Sequence, residues 1–391
     1  MKKYVLLAVV TFMISVFVGA AVVSAQTKGS RDAAKNASIR RSDPQRPVSK
    51  IREFEAIVLA RKNGTLAPAD PCATSIAITL GTPVNASLGT GDCLRANNTY
   101  IDFYHFSGTA GQAISIKEFS NAFDTLLYLL NDSGGTIDMN DDSNGTSDSR
   151  IPVDSGVITL PYTGEYFIGA NSYGPAVGAY ILTLETPAEC APLLVFYNQP
   201  VSNPLTTASC AVKINAQPYY TGLYTFYGVA GKQITITMSS QSVDSYLVLH
   251  TPTGVGTLQD DDGGGGTAAR IPASGTYILP ETGRYTIEAS TSNAFETGSY
   301  LLSLTGPASG TISGRIVTPA GAGLRNGTVS LTDSQGVRRT TTTSSFGFYS
   351  FDNVSPGPNY VIRISSRLYR FSPLTVQFND DMTDVNFTGL E

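Results

Sequence analysis

Two acidic loops hold the side chains best suited to chemistry. In the first, Asp141, Asp142 and Asp148 follow one another closely with Asn144 between them. Carboxylates and carbonyls in a Gly- and Ser-rich loop are a usual supply for calcium, which takes six to eight oxygen ligands. In the second, Asp260, Asp261 and Asp262 run into Gly263 to Gly266, and Ala268 stands where the first loop has Asp148. The expected calcium ligands are therefore Asp141, Asp142 and Asp148, with Asp124 a further candidate, and Asp261 and Asp262 would make a weaker second site. A competing reading needs no cation. Asp residues close turns on their own backbone, and Arg150 and Arg270, just after the loops, would pair with Asp124 and Asp244 to lock loop to strand.

Other chemistries find little support. His105 and His250 are the only histidines, and neither stands in a helix-borne metal motif of the kind zinc hydrolysis needs. A serine nucleophile would need a histidine base, and no Gly-x-Ser-x-Gly elbow is present. Paired carboxylates can cleave glycosides without histidine, but most of the Asp residues lie in Gly/Ser loops that hold no fixed separation. Exposed Tyr among Tyr219, Tyr220, Tyr224 and Tyr227 would offer rigid amphipathic contacts to a sugar or a fibrous protein; core packing is the competing role.

These loops sit inside a duplication. Residues 123–152 and 243–272 are copies 120 residues apart: an Asp opens a short apolar run, a Gly-containing turn and the acidic loop follow, and Arg-Ile-Pro closes the block. Ile114 and Ile116 alternate with Ser115 and Lys117, the period-two pattern of a strand with one buried face. The same succession of short extended pieces recurs in both copies and predicts seven or eight strands each, an antiparallel sandwich of about 110 residues. After Pro307 the composition changes, and Ile312, Gly314, Ile316, Val329 and Leu331 mark the strands of a third β-domain.

The 391-residue chain is too long for one ordinary core. Residues 1–25 read as a signal peptide: Lys2 and Lys3, an apolar run to Val23, and small residues before Gln26. A retained membrane anchor is the competing reading of that run; cleavage leaves no stable membrane span. Residues 26–71 carry ten Lys/Arg against five Asp/Glu, a basic leader with one short helix that Ser49 would cap and Asn63-Gly64 would stop, with Ile51, Phe54, Ile57 and Val58 on one face. Residues 72–189 carry three Lys/Arg against thirteen Asp/Glu, which argues against nucleic acid as a partner. Four cysteines allow three pairings, and duplication favours the two local ones, Cys72 with Cys93 and Cys190 with Cys210. Each bridge would stabilise its module by about 3 kcal/mol.

The modules resemble the bacterial pre-peptidase C-terminal domain. The first carries Tyr104-x-Phe106, the Gly108 to Gly111 turn, Asp124, Asn140-Asp141-Asp142, Arg150-Ile151, Gly164-x-Tyr166 and Gly178-x-Tyr180. The second carries Tyr224, Phe226, Asp244, Asp261-Asp262, Arg270-Ile271, Gly283-x-Tyr285 and Gly298-x-Tyr300. Residues 311–389 look like a carboxypeptidase regulatory-like, prealbumin-type domain, through SGRIVTPAGAGLRNGTVSL and FGFYSFDNVSPGPNY. The resemblance implies accessory β-domains found beside secreted hydrolases, often peptidases, and associated with export, substrate or surface binding.

The expected fold is all-β: tandem jelly-roll-like sandwiches over 72–188 and 189–307, and a prealbumin/Ig-like sandwich over 309–391. The expected function is non-catalytic binding outside the cell, to a polysaccharide, matrix or cell-surface protein, with calcium the one cofactor the residues suggest. Service as an accessory to a separate secreted peptidase is the first alternative, and an unrecognised hydrolase the second.

Overall fold

Alternating strands and frequent turns produce an all-β chain. The computed structural model describes residues 48–67 and 70–390, with side chains from residue 53 onward. The expected signal peptide and the leader up to residue 47 lie outside the described residues.

The leader helix, α1 (Val48–Lys62), packs on the first module. It already includes Val48, so Ser49 lies within it rather than at its cap. Gly64, with φ +62°, turns the chain just after it.

Module 1 contains, in chain order, β1 (Ile76–Ala77), β2 (Val84–Leu88), β3 (Cys93–Leu94), β4 (Tyr100–Gly108), β5 (Ala113–Phe119), β6 (Thr125–Leu130), β7 (Thr136–Asn140), β8 (Ser149–Ile151), β9 (Ile158–Thr159), β10 (Gly164–Ser172) and β11 (Gly178–Glu185). These are more strands than expected because β1, β3 and β9 are two-residue pairings too short to leave a periodic signal. One sheet runs β1-β4-β10-β6-β7 with β3 on β4; the other runs β2-β11-β5-β8 with β9 on β5. The pairings are antiparallel except β1 with β4, which is parallel. Between the sheets lie Tyr104, Ile114, Ile116, Leu127, Tyr166, Ile168 and Leu182, all buried.

The outer face of the β4 sheet is buried as well. Phe54 and Val58 of α1 sit on Ile101, Phe103, Leu126, Tyr128 and Phe167. Arg95 is buried between the Phe54 and Tyr128 rings, 4.8 and 5.1 Å from their centroids, and its Nη2 lies 3.3 Å from Glu53 Oε2. Burying Phe54 and Val58 contributes about 1.5–3 kcal/mol each. Two covered faces explain why β6 reads TLLYLL without alternation.

Module 2 repeats the topology: β12 (Leu193–Leu194), β13 (Val201–Leu205), β14 (Cys210–Ile214), β15 (Gln217–Gly228), β16 (Gln233–Ser239), β17 (Ser245–His250), β18 (Leu258–Asp260), β19 (Ala269–Ile271), β20 (Tyr277–Ile278), β21 (Gly283–Thr291) and β22 (Gly298–Thr305). The sheet orders, β12-β15-β21-β17-β18 and β13-β22-β16-β19, match those of module 1 strand for strand. Here module 1 itself covers the outer face. Ala113 and Val157 join Val212, Ile214, Tyr219, Leu223 and the Cys190–Cys210 bridge in one cluster. Val157 N donates to Ala211 O at 2.9 Å, and Thr163 N donates to Thr253 O at 3.0 Å. Gly156 is required at this junction: its φ is +78°, and a Cβ would stand 2.4 Å from Ala211 O.

The third domain holds β23 (Gly310–Val317), β24 (Thr328–Thr332), β25 (Arg338–Thr342), β26 (Phe348–Val354), β27 (Gly357–Ser365), β28 (Leu374–Phe378) and β29 (Phe387–Thr388). Sheets β26-β23-β29 and β25-β24-β27-β28 enclose Ile312, Ile316, Val329 and Leu331. It docks on module 2 through Asn379, which accepts from Tyr197 N at 2.7 Å and donates to Tyr227 O at 3.0 Å. Lys232 Nζ lies 2.9 Å from Asp381 Oδ2, and this bond holds the Asp381 carboxyl below the usual range.

Both expected disulfides are present, Cys72–Cys93 and Cys190–Cys210.

Candidate functional site

The acidic loops of the two modules close turns. In module 1 Asn140 Oδ1 accepts from Arg150 N at 3.0 Å, and Asp154 Oδ1 accepts from Asn144 N at 2.8 Å. Asp148 Oδ1 accepts from Ser120 N at 3.3 Å, across to the end of β5. In module 2 Asp260 Oδ1 accepts from both Arg270 N and Gly263 N. Asp142 is exposed, Asp141 and Asp148 are half-buried, and so are Asp261 and Asp262. Among the described residues no group of three or more His, Cys, Asp or Glu side chains is gathered so as to hold a metal ion. Burial, and then the Asp142 and Asp141 charges, raise the Asp124 carboxyl above its usual range.

The arginine pairing expected from the sequence is corrected. Arg150 donates to Pro152 O at 2.6 Å and Gly156 O at 2.7 Å, and Arg270 donates to Pro272 O and, at 2.6 Å, to Gly275 O. A guanidinium presents a planar fork of donors, and here the fork takes two carbonyls of the turn after the cis Ile-Pro bond. The shared Arg-Ile-Pro is therefore a turn clamp, and Asp124 and Asp244 are not its partners in those bonds.

A second polar feature lies at the end of each sandwich core. In module 1 the Tyr104 and Tyr180 hydroxyls are 2.7 Å apart, and Tyr180 donates to Asp102 Oδ2 at 2.6 Å. Burial drives the Tyr104 hydroxyl up to about 12 and the Asp102 carboxyl above its usual range. Glu118, on β5 and buried, is raised well above the ordinary carboxylate value by desolvation. In module 2 Tyr224 and Tyr300 are bonded in the same way, with Asn203 Nδ2 donating to Tyr224 Oη at 2.7 Å. A cleft of about 220 Å³ opens beside them, lined by Asn203, Thr221, Gly222, Tyr224, Tyr300 and the exposed Glu189. Tyr219, Tyr220 and Tyr224 are buried, which leaves Tyr227 as the exposed member of the expected aromatic group.

The bacterial pre-peptidase C-terminal domain model matches residues 100–172. The carboxypeptidase regulatory-like domain model matches residues 311–388. Among solved structures, the chain is similar to the pre-peptidase C-terminal domain of collagenase from Bacillus anthracis, at 16% identity over 29% of this chain and 95% of that one, TM-score 0.23. It is similar to the Bacillus anthracis TIE protein at 8% identity over 50% of this chain, spanning only 42% of that chain, TM-score 0.20. It is also similar to the major pilin subunit of Bacillus cereus, at 10% identity over 74% of this chain and 99% of that one, TM-score 0.19. No curated protein matches the sequence. No helix among the described residues is long and apolar enough to cross a membrane.

Sequence reasoning missed one buried pair. His250 Nε2 and Glu288 Oε1 are 2.6 Å apart where module 2 meets module 1, and a Cβ on Gly111 would touch the imidazole. His250 ends an apolar run, and Glu288 lies 38 residues away. Only the β17–β21 pairing brings them together.

Proposed function

We propose that this is a non-catalytic extracellular protein whose two pre-peptidase C-terminal-type modules bind an extended polymer, a polysaccharide or a matrix or cell-surface protein. The observation that carries the reading is a repeated exposed residue. Ile181 on β11 and Leu301 on β22 occupy equivalent positions in the two modules, at 39% and 45% exposure. Phe119, directly across from Ile181, is 44% exposed. An exposed aliphatic residue repeated on two docked modules suits a repeating ligand, because the second contact forms at high effective concentration, although Ser239 and not an aromatic stands across from Leu301. Two disulfides support export. The second module's assignment to the same family rests on its identical sheet orders.

Glycan and collagen arrays probed with the mature protein test the proposal. Ile181→Asp or Leu301→Asp should each weaken binding, and the double variant should abolish it. Silence on both arrays, or a double variant that binds like the parent, overturns it. The family description also favours a second reading, an accessory to a secreted peptidase; affinity capture from exported proteins must then recover a hydrolase.

A further inference from the structure

The third domain is held to module 2 by one end. There Pro356 O, Asn379 and Asp381 bond to Gln199, Tyr197 and Lys232. From Gly310, which lies beside Asp381, β23 runs away from that contact to Val317, and its 8 residues span about 25 Å. The register brings the ends of β25 and β27 and the starts of β26 and β28 to the far end as well. Gly389 N donates to Val317 O at 2.8 Å, Leu390 N to Arg370 O at 2.8 Å, and Arg315 Nε to Phe346 O at 3.0 Å. Residues 315–327, 342–348, 363–374 and 386–390 therefore form one tip.

This tip is apolar at its apexes. Phe346 and Leu368 are 69% and 80% exposed, and Phe348 and Leu390 are exposed beside them. Single exposed apolar residues are ordinary, whereas a group on adjoining loops marks a contact surface. The two turns are braced alike: Ser344 Oγ accepts from Phe346 N at 3.4 Å and Phe348 N at 3.1 Å, and Ser366 Oγ accepts from Leu368 N at 3.3 Å and Tyr369 N at 3.4 Å. Such bracing lowers the ordering cost of a contact made there.

The tip is also basic. Arg325, Arg367 and Arg370 are exposed on it, and Arg315 lies over the Phe348 ring, 5.6 Å from its centroid. No Asp or Glu occurs in its four segments, although the whole chain carries a net charge of −5. Glu391, next in the chain, lies outside the described residues. A tip of this sign on an acidic protein selects an anionic partner. Apolar side chains at protruding turns suit an interface that they can enter, with arginines at its headgroups. A soluble polyanion would use the arginines alone.

We propose that this tip docks on a bilayer surface containing anionic lipid, with Phe346 and Leu368 entering the headgroup region and Arg325, Arg367 and Arg370 meeting lipid phosphates. It belongs to a different domain from Ile181 and Leu301, so it stands independently of binding through them.

The test is sedimentation of the mature protein with vesicles of phosphatidylcholine, alone or mixed with phosphatidylglycerol. Only the mixed vesicles should carry the protein down, and high salt should weaken the binding. Phe346→Ser and Leu368→Ser should each weaken it about tenfold, as losing a partly buried apolar side chain does. Arg367→Gln and Arg370→Gln should each weaken it about fivefold, the effect of one basic residue near an anionic membrane. The serine variants should bind dextran sulfate like the parent, and Ile181→Asp should leave vesicle binding unchanged. The proposal is overturned if mixed vesicles do not bind the protein or if both kinds bind it equally. It is overturned if the Phe346→Ser/Leu368→Ser variant binds mixed vesicles like the parent, since the contact would then belong to another segment such as the basic leader. Equal weakening of dextran sulfate and vesicle binding by the serine substitutions also overturns it, and makes the partner a polyanion.

Discussion

Modules 1 and 2 share one strand order, yet each covers its outer sheet with a different neighbour. Module 1 is covered by α1; at two positions of its sheet stand Leu130 and Gly169, and the buried Arg95 lies between Phe54 and Tyr128. Module 2 is covered by turns of module 1, and the equivalent positions are His250 and Glu288. A helix presents a continuous apolar stripe with its backbone bonds already made. Turns bring carbonyls and hydroxyls, as Thr163 and Pro252 do here with a 2.5 Å bond. Sheet faces of one fold thus diverge in polarity according to what rests on them.

The largest test of that comparison is the buried pair. His250→Leu deprives Glu288 of its imidazole and should lower stability by about 3–5 kcal/mol, as breaking a buried pair does. The double variant His250→Leu/Glu288→Met, with apolar groups of similar volume, should recover most of the loss. Denaturant midpoints of the parent, two single variants and the double variant measure the coupling; additive losses would break the comparison.

A smaller effect is expected inside the cores. Glu118 faces Leu182 across β11, and its counterpart Met238 faces Leu302. Because burial raises the Glu118 carboxyl, the folded state retains a proton that the unfolded chain releases near pH 4.3. The folded state binds more protons, so stability is full below that pH and declines as pH rises toward the folded-state value. Glu118→Met should remove this decline and add about 1–3 kcal/mol at neutral pH, the cost of a buried polar group left unsatisfied. Melting temperatures from pH 4 to 8 give the readout; parallel profiles for parent and variant would count against it.

The smallest effect is at the rim of α1. Lys62 Nζ and Asp132 Oδ2 are 3.2 Å apart with both side chains about half exposed. Lys62→Ala should cost about 0–1 kcal/mol and less in high salt. A larger loss would mean that charge, rather than Phe54 and Val58, holds the helix to the module.

Much of this was legible in the residues. Alternation in β5 and in the third domain marked strands, and duplicated cysteine spacing favoured the observed bridges. The apolar runs TLLYLL and SYLVLH were expected only as short extended pieces; that their sheets are covered on both faces came from the structure. The acidic loops were read in two ways, and bonds such as Asp260 to Arg270 N follow the turn-closing one. The arginine partners were misjudged because charge pairing looked stronger than two backbone carbonyls, whose positions depend on the path of the turn after Pro152 and Pro272.

The sequence by itself determined the β class and the repeat and favoured the two local disulfides, because these follow from periodicity and spacing along the chain. Tertiary structure alone decided what covers each outer sheet, that His250 meets Glu288, and that the Tyr224–Tyr300 hydroxyl pair borders an open cleft. Those outcomes depend on register between strands tens of residues apart. A difference of one side chain, Asp102 against Gly222, takes its meaning there only from the neighbours that the fold supplies.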